Sequence, residues 1–382
     1  MAIEFSQEEK IFVDFIKAGI WNQEIELPGD FTQWRNVVRL AKNQAMLGIV
    51  SNELLNRVDD SQGMTNDLRL NLKSFKVSNI MAVNRLNTTT VKLFKHLKDN
   101  GLKPILLKGS SLAYNYPHPE LRQCGDIDVY IGEDDYVRSY HLMKQFATTI
   151  DSEEDIWIDK NYSAMLGDIE VEIHRVVDRH PSSALDRKFQ QFTKENLARS
   201  VGSVEVCGVL LETPSDTFNA LYVFMHMFRH FMMKGVGMRQ VCDWMLFLVK
   251  HKNGIRQDLL KTILVDMHLL GAWQDFVAMS VTFLGADPVT MPLYVENITE
   301  QRQKKILKRI LTEGNFGKST AYFTDRSENY IVMKFTSFYR HIQRYMQLAS
   351  LYPSLIIPYM STVFKFGFGR IGRDIKNKIH GR

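Results

Sequence analysis

PILLKGSSLAYNYPHPELRQCGDIDVYI, residues 104–131, decides how the rest of the chain is read. An apolar run at 105–107 ends in Lys108-Gly109-Ser110-Ser111, and sixteen residues after Ser110 a second apolar-rich run opens with Asp126-Ile127-Asp128. Side chains two apart on a strand share a face and lie about 7 Å apart along it, so Asp126 and Asp128 present neighbouring carboxylates. Such a pair suits a hard divalent cation. Gly109 lets backbone approach a phosphate closely, a helix after the turn would present unpaired N–H groups, Ser110 adds a hydroxyl donor and Lys108 a charge. Each feature alone is common in ordinary α/β connections, but their order is more specific.

Further along, DIEVEIH at 168–174 alternates strictly. The alternation predicts a strand with Glu170, Glu172 and His174 on one face and Ile169, Val171 and Ile173 on the other. Its plainer reading is a half-exposed edge with solvated charges. The chemical reading is a third carboxylate for the cation, with Glu172 the choice and Glu170 its rival. Moving a nucleotidyl group requires charge to be neutralised on the attacking oxygen, the leaving pyrophosphate and the oxygens between them. Mg²⁺ or Mn²⁺ held by clustered carboxylates does this.

KGSSLAYNYPHPELRQCGDIDVYI followed by VEIHR resembles the uncharacterised bacterial nucleotidyltransferases within the DNA polymerase β-like nucleotidyltransferase superfamily. The resemblance extends to HMFRHFMMKGVGMRQVCDW and LYPSLIIPYMSTVFKFGFGRIGR, and so covers most of the chain after residue 100. It implies Asp126, Asp128 and Glu172 as metal carboxylates, Gly109 and Ser110 at the triphosphate, and a nucleoside triphosphate as substrate. The gap between Gly-Ser and Asp-x-Asp is longer than in minimal members. The extra length spans residues 116–124 and includes Arg122.

Periodicity and breakers organise the rest. Residues 1–100 read as a helical region, with a loop at 59–63 and a long helix over 66–99 that stops at Asn100-Gly101. Residues 101–212 read as an α/β or α+β core with a small mixed sheet, strands at 105–107, 126–131 and 168–174, and a helix at 134–148. Residues 213–350 read as a second helical domain opened by Ser215-Asp216, with breaks that include Gly314-Asn315-Phe316-Gly317. Residues 351–382 form an apolar, then basic, tail.

Composition narrows the setting. The net charge of +5 is the charge of the tail alone: from Lys365 onward six basic residues face one acid, and the first 364 residues balance at 42 of each sign. A body without net charge lacks the broad basic footprint of a general nucleic-acid binder. Cys124, Cys207 and Cys242 form neither an even set nor a C-x-x-C pair, and the acidic start lacks a secretory pattern, so a cytoplasmic protein is expected. The apolar run from 351, interrupted by Pro353, Pro358 and Lys365, predicts docking onto the protein's own helices. A peripheral contact of 351–382 with the inner membrane is the alternative.

Five further positions carry chemistry. Arg122 could neutralise a phosphate or order its own loop through an ion pair, with Asp126 a candidate partner. His226 and His230 stand one helical turn apart at a spacing that binds zinc, but the sequence places no acid beside them. Packed histidines are the simpler reading. The family resemblance suggests that this helix faces the nucleotide or acceptor, together with Arg239 and Asp243 on the next helix. The enzymatic reading is a metal-dependent nucleotidyltransferase acting on an unidentified acceptor in surface-polysaccharide or small-molecule metabolism, with a toxin-like transfer onto protein or tRNA as runner-up. The non-enzymatic reading is a nucleotide-binding module that has lost turnover.

Overall fold

A computed structural model describes residues 3–157, 160–199, 201–317 and 330–361. Four helices lead: α1 (Gln7–Trp21), α2 (Trp34–Asn43), α3 (Leu47–Arg57) and α4 (Asn66–Asp99). A capping box starts α1, with Ser6 Oγ accepting from Glu9 N and Glu9 reaching back to Ser6 N. The chain breaks between α2 and α3, where Ala45 takes a left-handed conformation at φ +55°. The long helix α4 ends at Asn100, and Gly101 supplies the positive φ of +74° that turns the chain back.

The core follows as β1 (Ile105–Leu106), α5 (Ser110–Ala113), β2 (Asp126–Tyr130), α6 (Tyr136–Phe146), β3 (Thr149–Ile150), β4 (Asn161–Leu166), β5 (Ile169–His174), α7 (Ser183–Arg199), β6 (Val201–Val206) and β7 (Val209–Pro214). The fold is mixed α+β. Its sheet runs β1-β2-β5-β4-β3 with β2 and β5 parallel and the other neighbours antiparallel, while β6 and β7 form a separate hairpin. Ile127, Val129, Val171 and Ile173 face one way, into a core with Leu93 and Phe94 of α4 and Tyr136 and Tyr140 of α6. The acidic residues between them therefore face the other way, toward the helices that follow. Strand β4 and the β6–β7 hairpin have no counterpart in the sequence reading, and the helix after the Gly-Ser turn is a single turn.

Helices α8 (Asp216–Met233), α9 (Met238–His251), α10 (Gln257–Asp266), α11 (Leu270–Leu284), α12 (Glu300–Glu313) and α13 (Tyr330–Leu348) complete the elements. Their apolar residues join those of α1–α3 in one cluster, in which Phe12, Trp34, Phe224, Trp244, Trp273 and Ile310 are all at most 1% exposed. Helices from both ends of the sequence thus share a core. Gln44 ties them: its Nε2 donates to Ile310 O and Leu311 O at 2.9 and 3.0 Å, and its Oε1 accepts from Met238 N at 2.9 Å. Residues 353–361 are helical, and Leu351, Tyr352, Leu355 and Tyr359 are buried in the same cluster, with the Tyr352 ring 5.1 Å from that of Phe228. The described residues of the tail, 351–361, therefore dock on the protein's own helices. The basic residues from Lys365 onward lie outside the described residues. Among the described residues no helix is long and apolar enough to cross a membrane.

Candidate active site

The parallel pairing of β2 and β5 sets Asp126 opposite Glu170 and Asp128 opposite Glu172. Four carboxylates thus meet on one sheet face, with His174 beside them. His174 is fully buried, and its Nε2 lies 2.9 Å from Asp128 Oδ1 and 3.2 Å from Glu172 Oε2. One ligand atom each from Asp128, Glu172 and His174 lie within 4.8 Å of one another. Asp126 stands outside that set, on the same strand face. Lys108 completes the cluster, its Nζ donating to both oxygens of Asp128 at 2.8 and 2.7 Å.

The turn before α5 lies against this face. Gly109 adopts φ +73°, and a Cβ there would stand 3.4 Å from the Asp126 carbonyl oxygen and 3.9 Å from Asp128 Oδ2. Ser111 donates its hydroxyl to Leu107 O and is used by the fold, whereas Ser110 Oγ is buried without a hydrogen-bond partner in the protein.

The electrostatics of the cluster are uneven. Asp126 is held above its ordinary value, first by the charge of Asp128 and then by burial. Glu170 is raised by burial and then by Glu172 and Asp126. Burial would raise Asp128 too, but Lys108 and His174 outweigh it and hold that carboxyl well below the ordinary range. Lys108 in turn is pushed down by burial, yet ends above its ordinary value because Asp128, Asp126 and Glu172 surround it. Crowded carboxylates beside a phosphate-sized glycine turn fit a divalent cation, whose charge relieves the repulsion that raises Asp126.

A cavity of about 330 Å³ opens onto this face. Lys108, Gly109, Asp126, Asp128 and Glu170 line it from the sheet side, and His226 and Arg239 line it from α8 and α9. Arg239 Nη1 donates to Gln123 O at 2.7 Å, while its Nε is buried without a partner. Ser110, Glu172, His174 and His230 stand just outside the lining. A larger groove of about 610 Å³ between α1 and α3, edged by Glu24, Asn52 and Arg57, contains none of the cluster.

Arg122 and Asp243 also edge the cavity, but they are engaged with each other. Arg122 Nε and Nη2 each donate to Asp243 at 2.7 Å, Nη1 reaches Gln123 O and Cys124 Sγ, and Tyr116 OH donates to Asp243 Oδ1 at 2.8 Å. Asp126 is not its partner, because Nε and Nη2 pair with Asp243 and Nη1 is taken up by Gln123 O and Cys124 Sγ. The loop at 114–125 is clamped elsewhere too. Asn79 Nδ2 donates to Glu120 O, and Leu47 N donates to Gln123 Oε1.

The histidine pair acquires the acid its sequence lacked. Asp178, 2% exposed, places Oδ2 3.5 Å from His226 Nδ1, while His226 Nε2 lies 3.1 Å from His230 Nε2. The two nitrogens of His226 point in opposite directions, so Asp178 and His230 do not converge on one ion. Burial, followed by the charge of Lys108, lowers His226 to about 3, which keeps the ring neutral. Asp178 also faces Lys160 and Arg229 at 3.4 and 3.3 Å. Gln240, Asn315 and Phe316 line the cavity as well, and sequence reasoning did not reach them. The signal for Asn315 and Phe316 is the glycine-flanked break at 314–317, and Gln240 lies next to Arg239 on α9.

Comparison with known proteins settles the lineage. Residues 30–285 match the family described as uncharacterised nucleotidyltransferase. The chain belongs to that family. The chain also aligns with a solved structure, an antigenic nucleotidyltransferase-like protein from Paracoccidioides brasiliensis, at 12% identity and a TM-score of 0.32, over 55% of this chain and 93% of that one. No curated protein matches it significantly.

Proposed function

We propose that the protein moves a nucleoside monophosphate from a nucleoside triphosphate to a hydroxyl or phosphate oxygen of an acceptor. The observation that carries this reading is the register of β2 against β5, which sets Asp128 opposite Glu172 beside the Gly109 turn. Asp126, Asp128 and Glu172 would hold a divalent cation, Mg²⁺ or Mn²⁺, with His174 orienting the last two through Nε2. When bound, the cation neutralises charge on the phosphoryl oxygens and the departing pyrophosphate.

The chain's own groups supply the rest. Ser110 donates its free hydroxyl to a phosphate oxygen, and Lys108 and Arg239 place positive charge beside the triphosphate. The acceptor oxygen attacks the α-phosphorus, the bond to the bridging oxygen breaks, and pyrophosphate leaves. The acceptor's proton passes to a carboxylate, and Glu172 suits this role because its side chain is 28% exposed whereas that of Asp128 is 0%. A charge-balanced body favours a small-molecule or saccharide acceptor over a nucleic acid.

A second reading, a nucleotide-binding module without turnover, is favoured by one observation. Lys108 Nζ contacts both Asp128 oxygens and supplies a positive charge where the cation would sit. Incubation with each α-labelled nucleoside triphosphate and Mg²⁺ or Mn²⁺ separates the two. Pyrophosphate release by the wild type, lost in an Asp126→Asn, Asp128→Asn double variant, supports transfer. Triphosphate binding without release across a panel of acceptors supports the module.

A further inference from the structure

The cavity lining combines two chemistries. Lys108, Asp126, Asp128 and Arg239 supply charge, while Leu112, Val223, Met227 and Phe316 are apolar and Gln240 and Asn315 add amides. A nucleotide asks for both, charge for its phosphates and an apolar surface with hydrogen-bonding groups for its flat base. The residues of the second kind carry two marks of a built site.

The first is unfilled hydrogen-bonding capacity. Gln240 and Asn315 are 8% and 7% exposed, and in both the side-chain oxygen is buried with no donor from the protein. Buried amide oxygens are normally paired. Both residues line the cavity, and the last torsion of an amide side chain is soft enough to turn its oxygen toward an incoming donor.

The second mark is the way Phe316 is presented. Its backbone is left-handed at φ 57° and ψ 27°, a region unfavourable to a residue with a side chain. The turn is held there by close backbone contact with the loop between α8 and α9. A Cβ on Gly235 would come within 2.8 Å of Gly317 N, and one on Gly237 within 2.8 Å of Asn315 Cβ. The ring meets His230 edge to face at 5.0 Å and is partly exposed beside the amides. An aromatic presented on a strained turn, lining the same cavity as two acceptors, is an arrangement for holding a planar heterocycle.

We infer that Phe316, Gln240 and Asn315 form the recognition site for the nucleobase of the donor triphosphate, and that it selects bases bearing an exocyclic amino group. Two unpaired acceptors match the amino hydrogens of adenine or cytosine, or the N1 and N2 hydrogens of guanine. Uracil offers a single N–H and leaves one oxygen unsatisfied. This inference rests on the nucleotidyltransferase reading for the presence of a nucleotide.

The test is equilibrium binding of ATP, CTP, GTP, UTP and inorganic tripolyphosphate to the full chain with Mg²⁺. At least one amino-bearing nucleotide is expected to bind roughly tenfold tighter than UTP. Gln240→Met, which conserves volume, narrows that ratio to about threefold or less with tripolyphosphate affinity unchanged. Phe316→Leu weakens the preferred nucleotides roughly tenfold relative to tripolyphosphate. UTP binding as tightly as the others, measured on the wild type and so independent of how any variant folds, overturns the inference. A preference that survives Gln240→Met does the same. Either result with triphosphates still bound leaves the transferase reading standing, whereas failure of all five ligands to bind overturns both.

Discussion

Arg122 and Asp243, 121 residues apart, form a two-point ion pair with both contacts at 2.7 Å and exposures of 3% and 4%. The pair fastens the loop that delivers Asp126 to helix α9, which delivers Arg239. A buried guanidinium stripped of its carboxylate is left as an uncompensated charge. Asp243→Ala is expected to cost about 3–5 kcal/mol in urea unfolding. An Arg122→Met, Asp243→Leu double variant is expected to recover most of that loss, because two apolar side chains leave no charge unpaired. Equal stability of the single and double variants would show that the pair is not what anchors the loop.

Ser110 separates a functional residue from a structural one. Its Oγ is buried and unpartnered, so Ser110→Ala removes an unsatisfied polar atom and should leave the melting temperature unchanged or slightly higher. Triphosphate affinity should fall about tenfold, or ~1.4 kcal/mol, the scale of one hydrogen bond to a charged group. Ser111→Ala should behave in the opposite way, because Ser111 Oγ is bonded to Leu107 O at 2.8 Å. Thermal melts and nucleotide titrations on the two variants check the contrast.

Metal dependence is the sharpest expectation at the acidic face. Glu172→Gln should reduce pyrophosphate release at least ~100-fold. It should also abolish the rise in melting temperature that Mg²⁺ or Mn²⁺ gives the wild type. Chelation of divalent cations should have the same effect on the wild type. A Glu172→Gln protein with undiminished release would move the role to Glu170, its neighbour two positions earlier on β5.

Acid should unfold the protein earlier than carboxylate titration alone predicts. Burial lowers His226 to about 3, His180 to about 4 and His341 to about 4, from an ordinary 6.5. His180 Nδ1 accepts a hydrogen bond from Ser182 N at 3.1 Å, which requires an unprotonated nitrogen. Below pH 6.5 the unfolded chain takes up protons that the folded chain refuses, so stability is full above that value and falls as pH drops toward 4. Asp128 and Asp178, both held well below the ordinary carboxyl value, add a further loss under more acidic conditions. Melting temperatures from pH 8 to 5 should be flat above 7 and decline below 6.5. A flat profile down to pH 5 would mean that these imidazoles protonate in place.

The local chemistry of the acidic face was written in spacing. Asp126 and Asp128 share a face because a strand alternates, and Lys108-Gly109-Ser110 reads as a turn because glycine allows a positive φ. Among the missed elements, β4 and the β6–β7 hairpin lack such signals: the run at 161–166, Asn-Tyr-Ser-Ala-Met-Leu, does not alternate strictly, and the hairpin turns at Cys207-Gly208, with Cys207 at φ +49°. The helix after Ser110 is a single turn, and apolar periodicity cannot foresee the clamped loop that ends it.

Sequence alone therefore determined which residues could do chemistry here: two aspartates on one strand, an acidic third strand and a glycine-serine turn. Tertiary structure decided their partners. It set Glu172 rather than Glu170 opposite Asp128, gave Arg122 to Asp243 instead of Asp126, placed Asp178 beside His226, and brought Asn315 and Phe316 to the cavity. The reason is physical. Periodicity fixes the face a side chain occupies, but which groups meet across that face depends on packing between segments far apart in the chain, and local sequence carries no record of it.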